Sequence, residues 1–147
     1  TKLLRKLKYS TASKIKTYLG VSDPYVDIKR FLLKNNLNGI LDIGCFKGHT
    51  IDRFLDISPL PIYGFEPTLE SFNICKNRLQ NCKQVQLFNL ALSDCTGTSN
   101  FHLNNNPQTN SLLTATVDSG PLDSHYLKNT TTIQTITLDD WANINKA

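Results

Sequence analysis

The run Gly39-Ile40-Leu41-Asp42-Ile43 constrains this chain most, because it leads through Gly44-Cys45-Phe46-Lys47-Gly48 directly into a helical pattern. A short apolar run bounded by turn residues is the mark of a buried parallel strand. From about Gly48 a helix follows, with Ile51, Phe54 and Leu55 at i, i+3 and i+4, and Pro59 and Pro61 end it. The pattern then repeats. Ile62-Tyr63-Gly64-Phe65 reads as a second buried strand. Thr68 reads as the cap of a helix whose Leu69, Phe72, Cys75 and Leu79 share one face, and Val85 to Ala91 as a third strand. Strand, helix, strand, helix, strand implies a parallel sheet with right-handed crossovers, the start of a doubly wound α/β fold.

Ahead of this unit, residues 2–19 place Leu3, Leu4, Leu7, Ile15, Tyr18 and Leu19 among basic residues, an amphipathic helical pattern. Ser10 to Ser13 interrupt it, so one helix or two short ones fit, and Gly20 closes the segment. Asp23-Pro24 is an N-cap followed by proline at the first helical position; the helix so begun runs to about Asn35 with Phe31, Leu32 and Leu33 as its apolar face. Residues 1–36 thus form a basic helical segment and residues 37–147 the α/β unit. After Asp94, Cys95-Thr96-Gly97 is a turn, and Thr98–Leu103 and Thr131–Leu138 are strands able to pair as an appended antiparallel hairpin. The stretch 104–130 between them is rich in Asn, Ser and Thr and shows no periodicity, and Asp139-Asp140-Trp141 opens a further helix.

With 147 residues, 39% hydrophobic and 19% charged, the composition is that of one ordinary globular domain. No apolar run approaches the roughly 20 residues needed to cross a bilayer. Arg5, Lys6 and Lys8 break any signal-peptide core, so a cytoplasmic protein with reduced thiols is expected. Residues 1–34 carry nine Lys/Arg against Asp23 and Asp27, a net +7, which leaves −3 for the remainder. Such an arm suits phosphates or an anionic membrane face. Without interleaved aromatics its simpler reading is a solvated helix face, with no clear nucleic-acid partner. Cys45, Cys75, Cys82 and Cys95 form no Cys-x-x-Cys pair and no His stands at ligand spacing, so no metal is expected. Cys75 falls on an apolar stripe and reads as a small core residue.

The chemistry lies in Asp42-x-Gly44-x-x-x-Gly48. Glycine serves where the backbone bends sharply and approaches a ligand, and the helix N-terminus behind it offers unpaired N–H groups. Glu66 follows Gly44 by 22 residues, at the end of the second strand. A carboxylate there faces the same crevice and accepts ribose hydroxyls. A dinucleotide fingerprint reads Gly-x-Gly-x-x-Gly; here bulky Phe46 and Lys47 stand between the two glycines, and Asp42 would repel a pyrophosphate. The same acid suits the ammonium end of S-adenosylmethionine, so the charge pattern favours that cofactor over NAD. His49 adjoins the turn, but His49, His102 and His125 show no triad pattern, and the catalytic residues stay unassigned.

Leu41-Asp42-Ile43-Gly44-Cys45-Phe46-Lys47-Gly48, Tyr63-Gly64-Phe65-Glu66-Pro67 and Asn89-Leu90-Ala91-Leu92-Ser93-Asp94 together resemble the FkbM family of class I methyltransferases. Asn110-Ser111-Leu112-Leu113 and Ile136-Thr137-Leu138-Asp139-Asp140 fit the same family in order and spacing, so the resemblance covers roughly residues 37–141. It implies a Rossmann-like fold and methyl transfer from S-adenosylmethionine to a hydroxyl of a sugar or other small metabolite. By position, Asp42, Gly44 and Gly48, with Cys45 and Phe46 between them, would hold the methionyl and ribose region. Glu66, followed by Pro67, would take the ribose hydroxyls, and Asn89, Leu90 and Ala91 would border the adenine. Ser111 would touch substrate. Many relatives carry Ala-Asn where Cys45-Phe46 stand here, which leaves the backbone role intact. The family continues into a fourth strand with an acidic motif facing the methyl group, which has no counterpart before Ala147. The chain therefore reads as the cofactor half of such an enzyme, or alternatively as a non-catalytic binding module of the same fold.

Overall fold

The computed structural model describes residues 23–113 and 127–145; the helical pattern over residues 2–19 and its closing Gly20 lie outside them. In chain order the elements are α1 (Pro24–Lys34), β1 (Ile40–Ile43), α2 (His49–Ile57), β2 (Ile62–Phe65), α3 (Leu69–Leu79), β3 (Val85–Phe88), β4 (Ala91–Leu92), β5 (Gly97–Asn104), a 3-10 turn (Pro107–Thr109), β6 (Leu127–Ile136) and α4 (Leu138–Asn145). The architecture is α/β. Strands β1, β2 and β3 form a parallel sheet in that order, with Ile40 opposite Ile62 and Gly64 opposite Leu87. A second, mixed sheet has the order β4-β6-β5, in which β5 and β6 make the expected antiparallel pair and β4 runs parallel to β6. No helix among the described residues is long and apolar enough to cross a membrane.

One face of the parallel sheet is covered by α2 and α3, whose Ile51, Cys75 and Leu79 close over Ile40 and Ile62. The packing is close over Gly64 of β2. A Cβ at Gly64 would lie 2.8 Å from Leu87 Cδ2 and 2.9 Å from Ile51 Cδ1. The other face is covered by α4. Its buried Trp141 meets Tyr63, Phe65 and Phe88 edge-on with ring centroids 5.1, 5.2 and 5.5 Å away. The helix starts where the sequence places it: the Asp140 amide donates to Thr137 Oγ1, and the Thr96 hydroxyl donates to the Asp140 carboxylate. The two hydroxyls hold the Asp140 carboxyl below the usual range, Thr96 first. A third cluster, Ala91, Phe101 and Ile133, fills the second sheet.

Four expectations need correction. Strand β1 is parallel but not buried on both faces: Trp141 reaches over β2 and β3 only, and Ile43 at the edge is 61% exposed. The third strand does not run from Val85 to Ala91. Asn89 breaks it by donating its amide to Glu66 O (2.8 Å) and Pro67 O (3.0 Å), and the chain then enters the second sheet as β4. In α1, Asp23 caps as expected by accepting from the Tyr25 amide (3.1 Å), but Phe31 and Leu33 face solvent and only Leu32 reaches the core. The helix is attached instead by Tyr25 against Phe54 (6.0 Å) and by Arg53, which donates to both Asp23 oxygens at 3.1 and 2.8 Å. In α3, Leu69 is exposed, and the N-cap Thr68 makes no side-chain cap bond because its hydroxyl is turned to Glu66.

Candidate functional site

The turn between β1 and α2 has three left-handed residues in five: Gly44 (φ 78°), Phe46 (φ 50°) and Gly48 (φ 79°). Gly48 is required twice, by its φ and because a Cβ there would lie 2.8 Å from Cys75 Sγ and 3.1 Å from Leu79 Cδ1. Gly44 is required by φ alone, since a Cβ would meet nothing within 4 Å and the space before it is open. For Phe46 the left-handed conformation costs about 1–2 kcal/mol, and such strain persists where surrounding contacts over-determine it.

Those contacts come from the end of β2. The amides of Gly44 and Cys45 both donate to Phe65 O at 2.9 Å, and the Phe46 amide donates to Glu66 Oε2 at 2.9 Å. Glu66 is 6% exposed, and its other oxygen accepts from the Thr68 amide (2.9 Å) and the Thr68 hydroxyl. A carboxylate offers roughly four acceptor positions. Three of these are filled by the protein, which leaves one acceptor position of Glu66 open.

Asp42 contributes differently. Its Oδ2 is buried and finds no hydrogen-bond partner among the described residues, and burial pushes its carboxyl up to about 6. A cation placed beside it would remove that penalty, whereas an anion would add to it.

The turn opens on a cavity of about 490 Å³, within the range of small-ligand sites. Gly44, Cys45, Phe46, Glu66, Pro67, Leu90, Ala91 and Ser111 all line it, so most of the residues singled out from sequence come together. Asp42, Gly48 and Asn89 do not line it. Asp42 belongs to β1 opposite Gly64 and Gly48 packs under α3, while Asn89 clamps the Glu66-Pro67 backbone. The lining also includes His49, Thr50, Phe101, Pro107, Gln108 and Leu112. Of these, the 107–108 wall was missed because residues 104–130 carry no periodicity; Asn106-Pro107, an N-cap and a proline at N1, was the available signal. Ser111 is held there by two backbone bonds with His102 (2.8 and 3.1 Å).

His49 sits at the cavity edge with Nδ1 3.2 Å from Arg78 Nη1, and the same guanidinium donates to Lys47 O (2.6 Å) and pairs with Asp52. The Cys45 and Cys75 sulfurs are 4.0 Å apart in the core beneath the turn. Their hydrogen bond, then burial, pushes the Cys45 thiol up, and the same bond lowers Cys75. All four cysteines are free thiols, and no cluster able to hold a metal occurs among the described residues.

Over 67 residues the chain is 36% identical to the 2-O-methyltransferase NoeI of Sinorhizobium fredii (strain NBRC 101917 / NGR234). The similar stretch is 45% of this chain and spans 28% of that protein's length. No family model matches the chain. No solved structure matches it.

Proposed function

We propose that this chain forms the S-adenosylmethionine site of a Rossmann-like O-methyltransferase of the FkbM type, acting on a hydroxyl of a sugar or other small metabolite. The observation that carries the reading is the pairing of the strained Gly44-Cys45-Phe46 turn with buried Glu66 at one cavity, with the buried Oδ2 of Asp42 in β1 left without a hydrogen-bond partner among the described residues. Similarity to a protein named as a 2-O-methyltransferase supports the reaction class and a hydroxyl acceptor.

The residues fit such a cofactor. Asp42 would balance its cationic amino-acid end, the remaining acceptor position of Glu66 would take a ribose hydroxyl, and Leu90 and Ala91 would border the base. Pro67 and Phe46 add apolar wall. The cofactor supplies an already activated methyl group, so the protein's task is to hold it and align an acceptor. Within this chain, Ser111 and the 107–112 wall stand where an acceptor-side contact would be made. Titration with S-adenosylhomocysteine tests the reading: binding that weakens at least tenfold in Glu66→Ala supports it, and a folded protein with no affinity sinks it.

A further inference from the structure

We propose that Cys45 and Cys75 form a reversible disulfide that draws the turn off its Glu66 anchor and thereby shuts off ligand binding; the ligand's identity, though not the cross-link, rests on the cofactor reading above. The two sulfurs already touch at 4.0 Å, one in the turn and one on α3. They are 3% and 0% exposed, so neither meets bulk solvent. Cys45 nevertheless lines the cavity, which gives a small oxidant a route to it. Cys95 is exposed, and Cys82 is only half-buried at the edge of the same core.

Hydrogen peroxide is the oxidant the geometry admits. As the Cys45 sulfur attacks one peroxide oxygen, the O–O bond breaks. The departing hydroxide takes up the Cys45 proton and leaves as water, giving the sulfenic acid at Cys45. The Cys75 sulfur then attacks that sulfur, the S–S bond forms, the S–O bond breaks, and the second hydroxide leaves as water with the Cys75 proton. Two thiols lose two electrons and one peroxide becomes two waters.

Bonded sulfurs lie about 2.0 Å apart, so the pair must close by about 2 Å. On the α3 side, Leu79 is buried in the core and Arg78 is tied to Asp52 and to Lys47 O. The turn hangs only by backbone amides, those of Gly44 and Cys45 on Phe65 O and that of Phe46 on Glu66, and already holds Phe46 at positive φ. The turn is therefore the side that yields, and the Phe46–Glu66 bond is the contact it loses.

The test uses the Cys82→Ser/Cys95→Ser protein treated with peroxide and then with dithiothreitol. A linked Cys45–Cys75 peptide, faster hydrogen exchange over residues 44–48 and an S-adenosylhomocysteine affinity at least tenfold weaker are expected, all reversed by reductant. Saturating ligand should slow the cross-link by reciprocity. Cys75→Ser should show no faster exchange over residues 44–48 after the same treatment. Absence of the linked peptide at peroxide levels that oxidise Cys95 in the parent protein would overturn the proposal, and so would a cross-link that leaves exchange at 44–48 unchanged. Failure of the reduced protein to bind S-adenosylhomocysteine counts against the cofactor reading alone, since cross-link and exchange are read without ligand.

Discussion

The backbone amide of Phe46 donates to Glu66 Oε2 at 2.9 Å, so the end of β2 fixes the turn that follows β1. Removing that carboxylate strands the Phe46 and Thr68 amides in a largely buried place. Bonds to a charged acceptor contribute about 1.5–3 kcal/mol each, with strong overlap between neighbours. Glu66→Ala is therefore expected to lower unfolding free energy by about 2–3 kcal/mol in urea melts. A loss below about 0.5 kcal/mol would show that the turn holds its shape unaided.

Asp42 gives a pH dependence with a definite sign. Its carboxyl rises from 3.8 unfolded to about 6 folded, so the folded protein binds the proton more tightly. The group's contribution is most favourable below pH 4 and is lost as pH rises through 6. Asp42→Asn should thus stabilise the ligand-free protein at pH 7.5 by about 1–2 kcal/mol after solvent screening, and by almost nothing at pH 3.5. Equal effects at the two pH values would contradict the assignment. The same variant should bind S-adenosylhomocysteine more weakly, a gain in stability at the expense of the site.

Trp141 joins α4 to the parallel sheet. It is buried against Tyr63, Phe65 and Phe88. Trp141→Ala should cost about 3–5 kcal/mol, enough to consume most of a small domain's stability, and Trp141→Phe clearly less. Thermal melts followed by circular dichroism measure the difference.

Gly64 leaves room on β2 for Leu87 of β3 and Ile51 of α2. An added methyl meets Leu87 and Ile51 below 3 Å, so Gly64→Ala should destabilise by about 1–3 kcal/mol although β2 is a strand. A neutral result in the same melts would mean that the Leu87 and Ile51 side chains swing aside freely.

Much of this was legible in the sequence because local chemistry dictated it. Asp23-Pro24, the Asp42–Gly48 turn and Asp139-Asp140-Trp141 each mark a helix start by capping or backbone freedom, and each helix begins there. The strand pairing of β5 with β6 followed from alternation. What escaped notice depends on contacts between distant segments. Val85–Ala91 is mostly apolar and reads as one strand, and only the Asn89 side-chain amide reaching Glu66 and Pro67 reveals the break. The exposure of Phe31, Leu33 and Ile43 depends on which neighbours cover them, which periodicity does not encode. In the site, the glycines and Glu66 were visible as motifs, while Phe101 and Gln108 enter the cavity through the folding of β5 and the 3-10 turn. The engagement of Glu66 by Thr68 and Phe46 likewise required coordinates.

The central claim is a cofactor site for S-adenosylmethionine, and calorimetric titration of the reduced protein with S-adenosylhomocysteine and, separately, with NAD tests it most directly. The account predicts one S-adenosylhomocysteine per chain with Kd below about 100 µM, a loss of at least tenfold in Glu66→Ala, and no binding of NAD. A folded protein that binds NAD, or that ignores S-adenosylhomocysteine at millimolar concentration, would contradict it.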